Sequence, residues 1–216
     1  MMRRGIGLAM TTALLACTTE GELQRGTFQY ECVLEEDSGC GSLNETSVPS
    51  SIAVGGRFRL TFEPYEGTGQ HTVTPASTER AVADAMGDLT LLDDGAQALL
   101  AVNSSDNIVD FLLVNGAEVK DLWVSLDPGE GSPLGSIEIQ QGVDTTLFAR
   151  PVGADGQTLP GGFVFSWTLG DEGLALLTPS ADSSAEVTIN GQYEGSTQLT
   201  LSVDQLEVTF YLQVEP

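Results

Sequence analysis

Three thiols, one imidazole and 31 carboxylates are the groups in this 216-residue chain whose types and spacing could do chemistry. The imidazole, His71, ends the glycine-rich run Gly67-Thr68-Gly69-Gln70-His71, which reads as a loop or a sheet edge. A Ser-His-Asp triad would have to use it, yet no serine stands in a G-x-S-x-G elbow and nothing else marks a nucleophile. Neither a phosphate-binding loop nor a dinucleotide fingerprint is present. No catalytic residue is assigned, and the chain reads as a non-enzyme. Glycoside hydrolysis needs only two carboxylates at a set separation, so a small carbohydrate-acting hydrolase stands as the alternative. Carboxylates gather at Glu35-Glu36-Asp37, Asp93-Asp94 and Asp171-Glu172, and hard oxygen ligands of this kind suit Ca²⁺. The D-x-D-x-D-G loop is absent and solvated turn acids account for all three clusters, so bound Ca²⁺ is the one cofactor they raise and no metal ligand is assigned.

The first cysteine has the most telling surroundings. Met1 to Arg4 carries two arginines, and Ile6 to Ala16 then runs apolar or small without a charge. This is a charged leader followed by a hydrophobic stretch far shorter than the ~20 residues a spanning helix needs, so residues 1–16 are expected to be cleaved as a signal peptide. Leu14-Leu15-Ala16-Cys17 resembles the lipobox of bacterial lipoproteins, in which the cysteine sulfur takes a diacylglyceryl group and the freed amine is acylated. The resemblance implies lipidation at Cys17 and a membrane partner held through the N-terminal lipid. One acyl chain binds only marginally and two or three hold a domain firmly. Thr18 stands where an Asp would retain such a lipoprotein in the inner membrane, which implies delivery to the outer membrane. In that oxidising compartment Cys32 and Cys40 remain as an even pair around the turn-rich Glu35-Glu36-Asp37-Ser38-Gly39. They read as a disulfide staple contributing about 2–3 kcal/mol on the chain-entropy model. A metal or redox site is the alternative, disfavoured by the lack of C-x-x-C spacing and of a nearby histidine.

Charge narrows the partners. Loss of Arg3 and Arg4 leaves six basic side chains against 31 acids, a formal charge of −25. Six scattered cations cannot build the face a polyanion requires, so nucleic acid is excluded as a partner and anionic lipid surfaces are disfavoured. An envelope or surface protein or a polysaccharide remains.

The elements that must position these residues are short strands separated by turns. Thr18 to Gly26 is polar and without period, and residues 17–26 read as a lipid-anchored tether. Phe28, Tyr30 and Cys32 alternate with polar neighbours; Ser51-Ile52-Ala53-Val54 leads through Gly55-Gly56 to Arg57-Phe58-Arg59-Leu60-Thr61-Phe62, with the aromatics and Leu60 facing a core and the arginines facing solvent. Further strands are expected at Arg80–Ala85, Leu89–Leu92, Ala96–Val102 and Ile108–Val114, with Asp93-Asp94-Gly95 as a hairpin signal. Asn115-Gly116 closes this unit, 27–116. The second unit, 117–216, runs through Leu122–Leu126, Ser136–Ile139, Thr145–Ala149, Phe163–Trp167, Ala175–Leu177, Ala185–Ile189, Gln198–Val203 and Val208–Val214. Within it Ile137-Glu138-Ile139, Gly142, Leu147-Phe148-Ala149, the run from Asp155 to Gly161, Trp167 and Gly195 resemble the bacterial Ig-like domains of the invasin type. That resemblance implies an all-β protein of two tandem Ig-like sandwiches, with Trp167 plugging the core of the second. Ser51-Ile-Ala-Val and Arg59-Leu-Thr-Phe-Glu-Pro echo Ser136-Ile-Glu-Ile and Thr146-Leu-Phe-Ala-Arg-Pro, a spacing of one sandwich per repeat. The expected cores are Phe58, Leu60, Phe62, Leu91, Leu99 and Phe111, then Ile137, Leu147, Phe165, Trp167, Ile189, Leu201 and Phe210. Such domains space or bind, so the expected function is an envelope lipoprotein acting as a binding, adhesion or spacer module, or an assembly subunit docking by an edge strand. The staple has a direct check: thiol titration of denatured, unreduced, exported protein should find no free cysteine, and two reactive thiols would remove the bridge.

Overall fold

A computed structural model describes residues 19–33, 48–128, 133–179 and 184–216. The first half contains β1 (Thr19–Glu20), β2 (Gly26–Glu31), β3 (Ser51–Ala53), β4 (Arg57–Pro64), β5 (His71–Pro75), β6 (Ala81–Ala83), β7 (Leu89–Leu91), β8 (Gly95–Asn103) and β9 (Ile108–Ala117). The second contains β10 (Asp121–Ser125), β11 (Ser136–Gln140), β12 (Asp144–Val152), β13 (Ser166–Leu169), β14 (Ala175–Pro179), β15 (Glu186–Gly191), β16 (Gly195–Val203) and β17 (Leu206–Glu215). No helix occurs among the described residues, and the protein is all-β.

Each half is a sandwich of two sheets with the same strand order. The sheets of the first are β1-β2-β4-β7-β6 and β3-β9-β8-β5; those of the second are β10-β12-β15-β14 and β11-β17-β16-β13. Leaving β1 aside, both follow the A-B-E-D and A′-G-F-C order of an immunoglobulin-like sandwich. Within each, one strand pairs in parallel with the last: β3 with β9, and β11 with β17. The two sequence echoes fall on equivalent strands, Ser51 and Ser136 opening β3 and β11, and Arg59-Leu-Thr-Phe-Glu-Pro and Thr146-Leu-Phe-Ala-Arg-Pro lying in β4 and β12. The turn after β3 and the turn after β11 also share their backbone. Gly55 and Gly142 both take positive φ, 85° and 74°. Their amides donate to Leu91 and Gly191, and those of Val54 and Gln141 donate to Ala117 and Glu215.

Period-2 alternation builds both cores. Arg57–Pro64 buries Phe58, Leu60 and Phe62 and turns Arg57 and Arg59 outward, as expected. The arginines are not simply solvated. Both converge on Asp88, whose side chain is only 3% exposed: Arg57 Nη2 donates to Oδ2 at 2.7 Å, and Arg59 Nε and Nη2 to Oδ1 at 2.9 and 2.5 Å. Asp84 joins through Arg57 at 3.3 Å, and the amides of Asp88 and Met86, with the arginines behind them, hold its carboxyl below the usual range.

Several expectations need correcting. Phe111 is half-buried on the outer face of β9, while Asp110, Leu112 and Val114 point into the first sandwich. Trp167 is half-buried on the edge strand β13, its Nε1 donating to the Ser184 carbonyl at 3.1 Å, and Phe163 and Phe165 are the aromatics sealed inside. Residues 19–26 are not a slack tether: they form β1 and a closed turn on the first sheet. His71, by contrast, stands where the sequence allowed it, at a sheet edge, opening β5. The first unit also runs past Asn115-Gly116, because β9 continues to Ala117.

Burial sets the cost of losing each aromatic. Phe165→Ala should destabilise the second sandwich by about 3–5 kcal/mol, and Trp167→Ala, which keeps one face in solvent, by about half that. Chemical denaturation monitored by circular dichroism will show it; equal losses would mean Trp167 is the core plug after all.

Candidate functional site

Of the residues expected to do chemistry, Cys17 and Cys40 lie outside the described residues, as does the Glu35-Glu36-Asp37 cluster. Cys32 directly follows the end of β2. The other acidic clusters are occupied locally. Asp93 accepts from the Asp94 amide and pairs with Arg80 at 3.4 Å, and Asp171 accepts from the Gly173 amide. Among the described residues no three His, Cys, Asp or Glu side chains converge as a metal site would require. His71 packs edge-on against Phe62 at 5.4 Å, and no hydrogen-bond partner reaches its buried Nδ1 among the described residues. Among the described residues no carboxylate orients the ring as a general base would need.

Two open grooves stand out among the described residues. One, of about 380 Å³, runs between the facing edges β13 and β14 and is lined by Trp167, Leu169, Leu176 and Leu177, with Glu172 as the one carboxylate among its described lining residues. A glycosidase needs a carboxylate pair across the bound sugar, and the described lining of this groove does not supply one. The other, of about 560 Å³, lies between the sandwiches, where Asp94, Glu118 and Asp155 meet Asn115, Gln157 and Lys120. Lys120 is already paired with Glu118.

The best-defined constructions are two places where backbone is fixed by backbone or by a buried charge. The first is the junction. The turn after β3 enters the second sandwich beside the β12–β13 connection. The Arg57 amide donates to the Gly162 carbonyl at 2.8 Å, the Gly162 amide donates to the Arg57 carbonyl at 2.6 Å, and the Ala53 amide donates to the Pro160 carbonyl at 2.9 Å. Ile52 is buried in the first core, while its neighbour Ala53, fully buried, belongs to the second. Strand alternation thus sends successive side chains into two different cores. Gly56 makes the approach achievable: a Cβ there would stand 3.0 Å from Gly161 Cα and 3.1 Å from the Phe163 ring.

The second construction is the N-terminal turn. Thr19 and Glu20 pair with Phe28 and Thr27, and the chain then curls around Asp110, which is fully buried. Its Oδ1 accepts from the Leu23 amide and its Oδ2 from the Arg25 amide, both at 2.8 Å, and Oδ1 accepts also from its own neighbour Phe111. The Glu22 amide donates to the Phe111 carbonyl, the Tyr65 amide to that of Arg25, and the Tyr65 hydroxyl to Glu20 Oε1. Partial desolvation, then the Glu20 hydrogen bond and charge, push that phenol above its ordinary value. Sequence reading missed Asp110 because an acid inside a strand is normally assigned to the solvent face. The signal lay in parity, since placing Leu112 and Val114 inward places Asp110 inward with them.

No family model matches the chain, and no curated protein matches it. Solved structures of similar shape include the S-layer protein SbsC, domains 4 and 5, with 17% identity and a TM-score of 0.39 over 82% of this chain and 88% of that one. InvD of Yersinia pseudotuberculosis is similar at 14% identity and a TM-score of 0.34, over 78% of this chain and 56% of that one. Invasin, a bacterial integrin-binding protein, gives 18% identity and a TM-score of 0.33 over 78% of this chain and 39% of that one. The chain spans only 30% of the longer SbsC structure of domains 4–9. The strand order itself is what defines this protein as two tandem immunoglobulin-like sandwiches.

The junction yields a sharp expectation. Gly56→Val puts a branched side chain where Phe163 and Gly161 now stand, and should split one calorimetric transition into two. A single transition at the original temperature would mean that the sandwiches are not coupled there.

Proposed function

We propose that this chain is a non-enzymatic lipoprotein of the cell envelope, anchored through acylated Cys17, whose tandem sandwiches act as a stiff spacer that presents a binding or adhesion surface. The observation that carries the reading is the junction: three backbone hydrogen bonds, and Ala53 of the first sandwich's β3 buried in the second core, tie together domains that a linker alone would let swing. A spacer is useful in proportion to its stiffness, and fold alone would not choose that role. The membrane is the partner at the N-terminus, the outer membrane by the lipobox reading. An envelope or surface protein or a polysaccharide is the partner elsewhere, and the Cys32–Cys40 bridge is proposed as a staple of the first sandwich. The acidic balance of the chain supports the exclusion of nucleic acid.

The anchor is tested by Cys17→Ser. The variant should lack acyl chains by mass spectrometry and be either uncleaved or released from the membrane fraction. Wild-type behaviour after a high-salt wash would show that another feature holds the protein there.

A further inference from the structure

A flexible tether from Cys17 to Gly26 could hold the first sandwich up to about 30 Å from a bilayer. The structure removes that slack. Thr19 is already in β1, so Thr18 alone separates it from Cys17, and this stretch of chain reaches about 7 Å at most. What keeps residues 19–26 folded is not the two-residue strand itself, which is too short to be stable alone. It is the Asp110 carboxylate, fully buried, which receives the Leu23 and Arg25 amides at 2.8 Å each. Opening the turn would break both of these hydrogen bonds to a carboxylate, which are stronger than bonds between neutral groups. Gly21 completes the fit, because any Cβ there would fall within contact distance of the same carboxylate.

We propose that Asp110 and Gly21 are positioning residues that latch the segment after the lipidated cysteine into the first sandwich, so that the flank carrying β1 sits directly on the lipid-headgroup surface. This rests on the lipid-anchor reading above. The occupant of the flank follows from where the folded chain begins: the chain outside the structure leaves from β1, and a lipid on Cys17 puts headgroups within a few ångströms of it. Glu20, Glu22 and Glu63 are exposed on this flank, so the surface it suits is a zwitterionic one, with proximity enforced by the covalent anchor and not by charge.

Arg25 makes the latch measurable, since trypsin cleaving after it would part the anchor from the folded protein. Its amide and carbonyl are both engaged, by Asp110 and by the Tyr65 amide. Full-length acylated protein in phosphatidylcholine vesicles should therefore resist cleavage at Arg25–Gly26. Asp110→Asn, which turns one acceptor into a donor, and Gly21→Ala, whose added Cβ collides with the Asp110 carboxylate while no core side chain is removed, should each speed that cleavage about tenfold to a hundredfold, because proteolysis follows the population of the opened segment. The same rates measured on soluble Cys17→Ser protein test the latch without the membrane, so failure of the latch and failure of the anchor are separable. Wild type cleaved as fast as the variants, or both variants as resistant as wild type, would overturn the latch. For posture, a fluorophore on Gln29→Cys, beside the exit of β1, should be strongly quenched by headgroup-labelled lipid. A ten-residue Gly-Ser insertion after Thr18 should relieve the quenching, and unchanged quenching would overturn the flush seating.

Discussion

Backbone meeting backbone between Arg57 and Gly162 is the constraint on which the form of this protein depends. Side-chain contacts between domains can slide, but reciprocal N–H and C=O bonds fix distance and direction together. They form only because Gly56 faces Gly161 without a side chain between them. The same strand that makes the bridge carries Arg57 and Arg59 on its outer face, and both are gathered by the almost fully buried Asp88. The junction therefore has a braced side: the guanidiniums neutralise an acid that burial would otherwise make costly, and the strand leading into the bridge is held at its neighbour.

The two sandwiches repeat one plan and differ where the junction requires it. Gly55 and Gly142 hold the same turn with the same pair of backbone hydrogen bonds. The next residue is Gly56 in the first sandwich and Val143, 47% exposed, in the second. The first version admits the loop of a following sandwich, and the second places a branched side chain in the corresponding position. One residue thus separates a turn that docks from a turn that faces solvent, on otherwise matching backbones.

Strand positions were readable because half-buried strands must alternate, and Arg57–Phe62 alternates without exception. The sandwich order was readable through short echoes that land on equivalent strands, β3 with β11 and β4 with β12. What escaped are features decided by partners distant in sequence. Phe111 looked like core because Asp110 looked like surface, and only amides about 85 residues earlier make the acid tolerable inside. Trp167 looked like a plug because of its size, while its edge position is set by pairing with β16 alone. The turn at Gly21 looked like a tether because it is polar and aperiodic, and the carboxylate that orders it belongs to another strand. The junction is of the same kind: Gly55-Gly56 and Pro160-Gly161-Gly162 each read as an ordinary turn, and nothing local says that they meet.

The cations of this acidic chain show how little of its charge is left for binding. Of the six beyond Cys17, Arg57, Arg59, Arg80 and Lys120 are engaged with carboxylates. Arg150 is buried in the second sandwich, and Arg25 is exposed in the N-terminal turn with no ion pair among the described residues. Positive charge is thus spent on bracing strands, and the acids that remain in excess dominate the surface potential. Such a surface repels nucleic acid and anionic lipid and accumulates cations. With the cations engaged in this way, the two sandwiches are tied to one another by backbone hydrogen bonds and not by surface ion pairs, so the excess of acid leaves the junction intact.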